Sequence, residues 1–404
     1  MHVEKPSQLP HPGLYPDRYE LIDAWRGLAA LGVVVHHVAN IHIGPTSVML
    51  FFVISGYCIA ASADACQRKG WGFKGFMWRR IRRIYPPYLL SIAFWAAWRL
   101  VKWKMGGQNE IFVRMTGEPR PWSDWPQNLT LTQWFSLLFH PQPYAASNPV
   151  LFVAAYWSLG YEEQFYLMMG LMVLLAPLLR LSVLSMSCVL LGVGLVWNAC
   201  LPTISYGIFI EYWALFAIGV LVFYRLCRVQ NVAWRRMVDV GLVLLCAIGV
   251  YMRWFSGIAW PESNTEGGSR VVYQELAVAA GFAIVLIGMR PVSRWIASKL
   301  WFKPLAALGH ITFSLYLIHQ FNVTLMQQLA FKVLHPINHL PMPTEKPGVG
   351  WDWPTGWLVA WFGLQFAGHI TLGSIFWFFC ERPFLNRPLT VRKADATTSD
   401  ASKA

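Results

Sequence analysis

Ten long apolar runs organise this chain, near residues 24–44, 47–63, 86–101, 151–176, 183–200, 204–224, 237–254, 271–289, 305–330 and 356–380. Each approaches the length a tilted membrane helix needs, the second and third being on the short side. A 404-residue chain in which 56% of residues are hydrophobic and only 13% charged has too little polar surface to cover such a core in water. The reading is all-α: a polytopic integral membrane protein of about ten transmembrane helices. It divides into an amino-terminal tail (1–20), a membrane domain (21–388) and a carboxy-terminal tail (389–404).

Charge sets the expected orientation. With the amino terminus in the cytoplasm, Lys and Arg on the inner segments outnumber those on the outer segments by more than two to one, as the positive-inside rule requires. The first twenty residues are polar and lack a leader's charged-then-apolar pattern, so both termini are expected in the cytoplasm and the chain in the inner membrane. Topology and attraction to anionic lipid headgroups account for the net charge of +13 without nucleic acid. The seven cysteines are scattered, with no CxxC pair and no His-spaced metal pattern, so free thiols are expected and no metal site.

Within the first run, Asp23, Arg26 and His37 sit where lipid-depth helix is expected. At roughly 100° per residue, Arg26 and His37 return to within about 20° of one helical face, with Asp23 a turn before Arg26. Ionisable residues inside a span face a protein interior or a wet cavity, which makes this stripe a candidate site.

Two further clusters stand at different depths. On the inner side, Phe76-Met-Trp-Arg-Arg-Ile-Arg-Arg-Ile-Tyr-Pro-Pro-Tyr puts four arginines just before a proline expected to open the third span. Arg80 and Arg83 share one helical face, Arg79 and Arg82 another. One pair can snorkel to lipid phosphate while the other points inward as a phosphate clamp, planar guanidinium forks being suited to phosphoryl oxygens. Nearer the outer side, His37, Ser55, Glu162 and His319 are expected at similar depth on four helices. Alone, each reads as a polar residue satisfied by a neighbouring helix. Together, an imidazole beside a carboxylate is a general base suited to activating an alcohol for attack on a carbonyl. No GxSxG elbow supplies a serine nucleophile, which favours direct transfer.

These residues resemble a known family. Asp23-xx-Arg26-Gly27 and then His37, Phe51-Phe52-xx-Ser55-Gly56-Tyr57, Arg80-xx-Arg83-Ile84-x-Pro86, Trp157-Ser158-Leu159-xx-Glu162-xx-Phe165-Tyr166, Gly309 to Ser314, Tyr316 and His319, and a closing Glu381-x-Pro383 follow the order of the acyltransferase-3 family. The resemblance runs from Asp23 to Pro383. It implies a ten-helix enzyme that takes an acyl group, usually acetyl, from cytoplasmic acyl-CoA and passes it to a hydroxyl of a sugar or other acceptor at the outer side. His37 then corresponds to the catalytic histidine, with Glu162, Asp23 and Arg26 beside it. Arg80, Arg83 and Arg26 correspond to the coenzyme A site, with Tyr85 and Ser55. His319, Tyr316, Trp157 and Tyr166 fall to the acceptor. Relatives that carry an extra esterase domain place it after the membrane part, so any such help here is expected either from a separate periplasmic protein or not to be needed.

The outer segment 102–150 carries Trp103, Trp122, Trp125, Trp134, Phe135 and Tyr144, which suit either sugar stacking or an interfacial aromatic belt. Asn128-Leu-Thr130 is a glycosylation triplet, of a kind common by chance. The competing reading of the whole chain is a proton-coupled secondary transporter using Asp23, His37 and Glu162 as a relay. The absence of repeated halves and the arginine cluster speak against it. A non-catalytic scaffold would leave the buried His, Glu and Arg unexplained.

Overall fold

The computed structural model describes residues 19–106, 111–114, 116–143, 148–201, 204–255, 272–346 and 350–385. Residues 1–18 and 386–404, which make up nearly all of the two tails, and Tyr144 lie outside the described residues.

Each of the ten apolar runs is a helix. In chain order the helices are α1 Ile22–Ala39, α2 Gly44–Arg68, α3 Gly72–Lys104, α4 Asp124–Leu129, α5 Trp134–Phe139, α6 Trp157–Leu179, α7 Val183–Cys200, α8 Ile210–Cys227, α9 Val232–Val250, α10 Val272–Met289, α11 Ser293–Ala297, α12 Phe302–Asn338 and α13 Thr355–Phe376. Among the described residues, six helical stretches are long and apolar enough to cross a membrane: Gly44–Arg68, Ala154–Leu179, Val183–Cys200, Ile210–Cys227, Val232–Phe255 and Thr355–Phe384. The other four runs are helical but fall outside that set. Helix α1 carries Asp23, Arg26 and two histidines, α3 begins with the arginine cluster, α12 is dilute in apolar residues, and the apolar stretch of α10, Tyr273–Met289, is shorter.

Helix α3 corrects the expected boundary. The arginine stretch and the third apolar run form one continuous helix, with Pro86 and Pro87 inside it rather than at its start. Its two ends do different work, since Tyr88, Ser91 and Trp95 are buried while Trp78, Arg82 and Phe94 are exposed.

Small residues set the closest helix contacts, as is usual where lipid offers no hydrophobic drive between helices. Helices α2 and α8 meet at Gly56 and Gly219: a Cβ on Gly56 would lie 2.0 Å from the Phe216 carbonyl oxygen, and one on Gly219 would lie 1.9 Å from that of Val53. Helices α1 and α12 meet at Gly27 and Gly309, where a Cβ on Gly309 would lie 2.0 Å from the Asp23 carbonyl oxygen. Further neighbours are α12 with α13, α9 with α10, α7 with α8, α1 with α2, α8 with α10, α3 with α6, and α2 with both α6 and α10.

The segment between α3 and α6 is a folded lobe on a buried ionic core. Asp124 is fully buried and takes two bonds from Arg114, Nε to Oδ2 at 2.8 Å and Nη2 to Oδ1 at 2.7 Å, with Arg120 at 3.5 Å. Asn128 is also fully buried; its amide donates to the carbonyls of Asp124 and Val150 and its oxygen accepts from Phe152 N–H. That packing excludes the glycosylation triplet from use. Trp125 packs edge-on to Phe152, itself stacked on Trp95 at 4.7 Å, and Trp134 stacks on Phe135, whereas Trp122 is 81% exposed. A two-stranded antiparallel ribbon, Gln142–Pro143 with Ile204–Ser205, ties the lobe to the loop before α8. None of the seven cysteines, all among the described residues, forms a disulfide.

Candidate active site

Five helices surround a cavity that encloses about 840 Å³ of space, part of it open to solvent. Its polar wall comprises Arg26 from α1, Ser55 and Cys58 from α2, Arg80 and Arg83 from α3, Ser158, Glu162 and Tyr166 from α6, and Thr312 and Tyr316 from α12. The α2 wall runs from Val48 to Ile59. At 1.5 Å per residue it extends on the order of 16 Å along the helix axis.

The helical spacing sorts the arginines. Arg80 and Arg83 face the cavity, the Arg80 guanidinium lying 5.4 Å from the Tyr166 ring centre and 5.6 Å from that of Phe76. Arg82 is exposed, and Arg79 lies 5.5 Å from the Trp71 ring centre away from the cavity. Neither Arg80 nor Arg83 has a carboxylate within ion-pair distance among the described residues, and Arg80 Nε is buried without a partner. Arg26 has only Asp23, at 3.9 Å, and the Asp23 side chain is 46% exposed. Asp23 therefore does not join the cavity. A concave site with three guanidinium groups and so few ion pairs is suited to an anion.

Glu162 holds a different place from the one its motif implied. Its Oε1 accepts from Ser55 Oγ at 3.1 Å and from Tyr166 OH at 2.6 Å. No hydrogen bond joins it to His37 among the described residues. The expected imidazole–carboxylate pair is absent, and the four polar positions separate into two tiers. Ser55 and Glu162 line the arginine cavity. His37 and His319 pack against each other beyond it, ring centres 5.1 Å apart. The cause is packing: Glu162 points from α6 toward α2, whereas His37 lies on the α1 face that meets α12.

Tyr316 joins the tiers. Its ring lines the cavity, its hydroxyl is 2.6 Å from Ser158 Oγ and bonds the Ala155 carbonyl, and its own carbonyl lies 2.8 Å from Nδ1 of His319 one turn onward. His319 is fully buried. His37 is half-buried, with His36 on its other side at 4.8 Å between ring centres and His36 Nδ1 bonded to the Ile41 carbonyl at 2.9 Å.

Two residues assigned to the site stand elsewhere. Tyr85 bonds Glu163 and the Thr130 carbonyl and lines a smaller crevice between α3 and α6 rather than the main cavity. Trp157 packs among Phe52, Tyr161 and Tyr212 as core. Several residues of the site went unassigned, Ser158, Thr312, Cys58 and Glu381 among them. Cys58 lines the cavity next to the arginines, and no spacing in the sequence singled it out. Glu381, 2% exposed, accepts from Ser314 N–H at 3.1 Å and Ser314 Oγ at 2.5 Å, and its charge reaches Arg26 and Arg83. The closing Glu381-x-Pro383 motif was its signal. Glu381 closes a π-turn, Trp377–Glu381, that follows α13 and brings its carboxylate onto Ser314 of α12.

The family model for the acyltransferase domain matches residues 19–367. The chain belongs to the acyltransferase-3 family. It is 28% identical over 329 residues to the "Putative membrane-bound transacylase BcsY" of Komagataeibacter xylinus, covering 78% of this chain and 75% of that protein. It is also 34% identical over 161 residues to "Protein 2 in picA locus" of Rhizobium radiobacter, covering 36% of this chain and 78% of that protein. No solved structure matches it. The protein is thus a multi-pass membrane acyltransferase.

Proposed function

We propose that this acyltransferase-3 protein moves an acyl group, acetyl above all, from cytoplasmic acyl-CoA to a hydroxyl of a cell-surface or lipid-linked carbohydrate at the outer face of the inner membrane. In this reading all ten helical runs cross the membrane, with both termini inside. The carrying observation is the cavity: three guanidinium groups at one end, and Tyr316 leading at the other to the His37–His319 pair.

Arg80, Arg83 and Arg26 hold the coenzyme A phosphates, and the pantetheine arm runs along the α2 wall past Ser55 and Cys58. The thioester then lies near Ser158 and Tyr316. His37 takes the proton from the acceptor hydroxyl as its oxygen attacks the thioester carbonyl. The carbon–sulfur bond breaks, and the coenzyme A thiolate leaves with the proton that His37 returns. Glu162 keeps Ser55 and Tyr166 fixed and offsets part of the arginine charge rather than serving His37. Glu381 does the same beneath Arg26 and Arg83.

The test uses purified protein in proteoliposomes with radiolabelled acetyl-CoA and an envelope glycan fraction, identifying what becomes labelled. Arg80→Ala and Arg83→Ala should each weaken acetyl-CoA binding by about 10-fold or more, the scale of a lost charge-assisted hydrogen bond. Arg82→Ala should leave it within about twofold, because that side chain is exposed. His37→Ala should bind normally and transfer nothing; near-normal turnover would refute the assignment. Tracer uptake of a solute without acyl transfer would restore the transporter reading.

A further inference from the structure

His319 is the one fully buried imidazole that touches the His37 ring, and one of its nitrogens has nothing to bond. Its Nδ1 lies 2.8 Å from the Tyr316 carbonyl oxygen. A carbonyl only accepts, so the Nδ1 proton is fixed there and Nε2 carries a lone pair. That Nε2 is buried without a partner. A buried acceptor left open is costly, so its place against the catalytic candidate calls for a cause.

The separation supplies one. Two imidazoles joined edge to edge by an N–H···N bond of about 2.9 Å have centres about 5 Å apart. The observed spacing is 5.1 Å with the planes tilted by 42°. The spacing fits such a bond once the half-buried His37 ring turns an N–H toward His319 Nε2. The His319 ring itself is held by its Nδ1–H on the Tyr316 carbonyl.

We infer that His319 is the positioning residue for His37, accepting its inward N–H and so leaving the outward nitrogen free to take a proton from the acceptor hydroxyl. It fills the place that Glu162 vacates by bonding Ser55 and Tyr166. A neutral acceptor suits this depth better than a carboxylate, since it fixes the tautomer without burying a second charge. During transfer, the hydroxyl O–H breaks, its proton goes to His37, and His319 holds the resulting imidazolium by the same bond. The proton leaves again on the coenzyme A sulfur, so His319 ends unchanged. The inference rests on the acyl transfer proposed above.

Two substitutions separate this role from simple core packing. His319→Gln can place an amide oxygen where Nε2 stands. His319→Asn can keep the bond to the Tyr316 carbonyl but does not reach that point. With acetyl-CoA and the labelled acceptor in proteoliposomes, His319→Asn should lower kcat by about 10- to 100-fold, the scale seen for groups that orient a reactive imidazole. Its KM for acetyl-CoA should stay within about twofold and its thermal midpoint near that of the parent. His319→Gln should recover kcat to within about threefold of the parent. Equal losses in both variants, a rise in KM in place of a fall in kcat, or normal turnover of His319→Asn would each overturn the inference. An active His37→Ala protein would instead overturn the proposed reaction, which keeps the two failures apart.

Discussion

Gly309→Ala tests whether the α1–α12 contact sets the geometry of the site. Its Cβ would lie 2.0 Å from the Asp23 carbonyl oxygen and 2.8 Å from Asp23 Cα, where ordinary contact begins near 3.4 Å. Both partners are helix backbone, so no side chain can swing aside, and the helices must separate locally by about 1.4 Å. The overpacking costs about 1–3 kcal/mol. The catalytic effect should be larger, because the same two helices carry Arg26 and His37 on one side and Tyr316 and His319 on the other. A misplacement of about 1 Å across a reacting pair lowers turnover by about 100-fold. The assay is acetyl transfer in proteoliposomes alongside thermal unfolding in nanodiscs. Gly363→Ala on α13 is the control, since a Cβ there meets nothing within 4 Å. A Gly309→Ala protein with kcat/KM within threefold of the parent and an unmoved midpoint would refute the argument.

Asp124→Ala leaves Arg120, whose side chain is 2% exposed, and Arg114 without their shared carboxylate. It should lower stability by about 3–5 kcal/mol, read as a fall in the thermal midpoint; an unchanged midpoint would show that the lobe does not depend on this pair. Glu20 closes the start of α1 onto the α10–α11 turn, its carboxylate 2.5 Å from Arg290 Nη1 and 2.8 Å from Ser293 Oγ. Burial pushes that carboxyl up, but the hydrogen bonds of its own backbone and of Ser293, and the charge of Arg290, outweigh it and hold it below its ordinary value of 4.5. Its stabilising contribution is therefore full above about pH 4.5 and is lost as the pH falls further. Glu20→Gln should flatten that acidic fall in the thermal midpoint; an identical profile in parent and variant would refute it.

Much of the site was legible because helical spacing is local. The three-residue interval of Arg80 and Arg83 placed both on one face, and the cavity receives both while Arg82 stays exposed. The same spacing put Asp23 a turn from Arg26, and the two do pair at 3.9 Å, but the half-exposed Asp23 side chain does not line the cavity. Glu162 shows a second limit. Residue counting gave a shared depth with His37, but depth says nothing of which helix a side chain faces, and the packing of α6 on α2 assigned Glu162 to Ser55. Glu381 was visible as a motif but not as a neighbour of the arginines, because a π-turn at the end of α13 brings it there.

The sequence by itself determined the class of this protein: apolar runs, clustered basic residues and an ordered series of family motifs follow from composition and from the fixed geometry of single helices. Only the tertiary structure decided that the imidazole of His37 meets another imidazole instead of a carboxylate, and that three arginines share one cavity. Those pairings depend on which helix faces approach closely, and here glycines at Gly27, Gly309, Gly56 and Gly219 set that approach. Contacts between helices distant in the chain leave no period in the sequence, so the chemistry they assemble becomes readable only once the bundle is built.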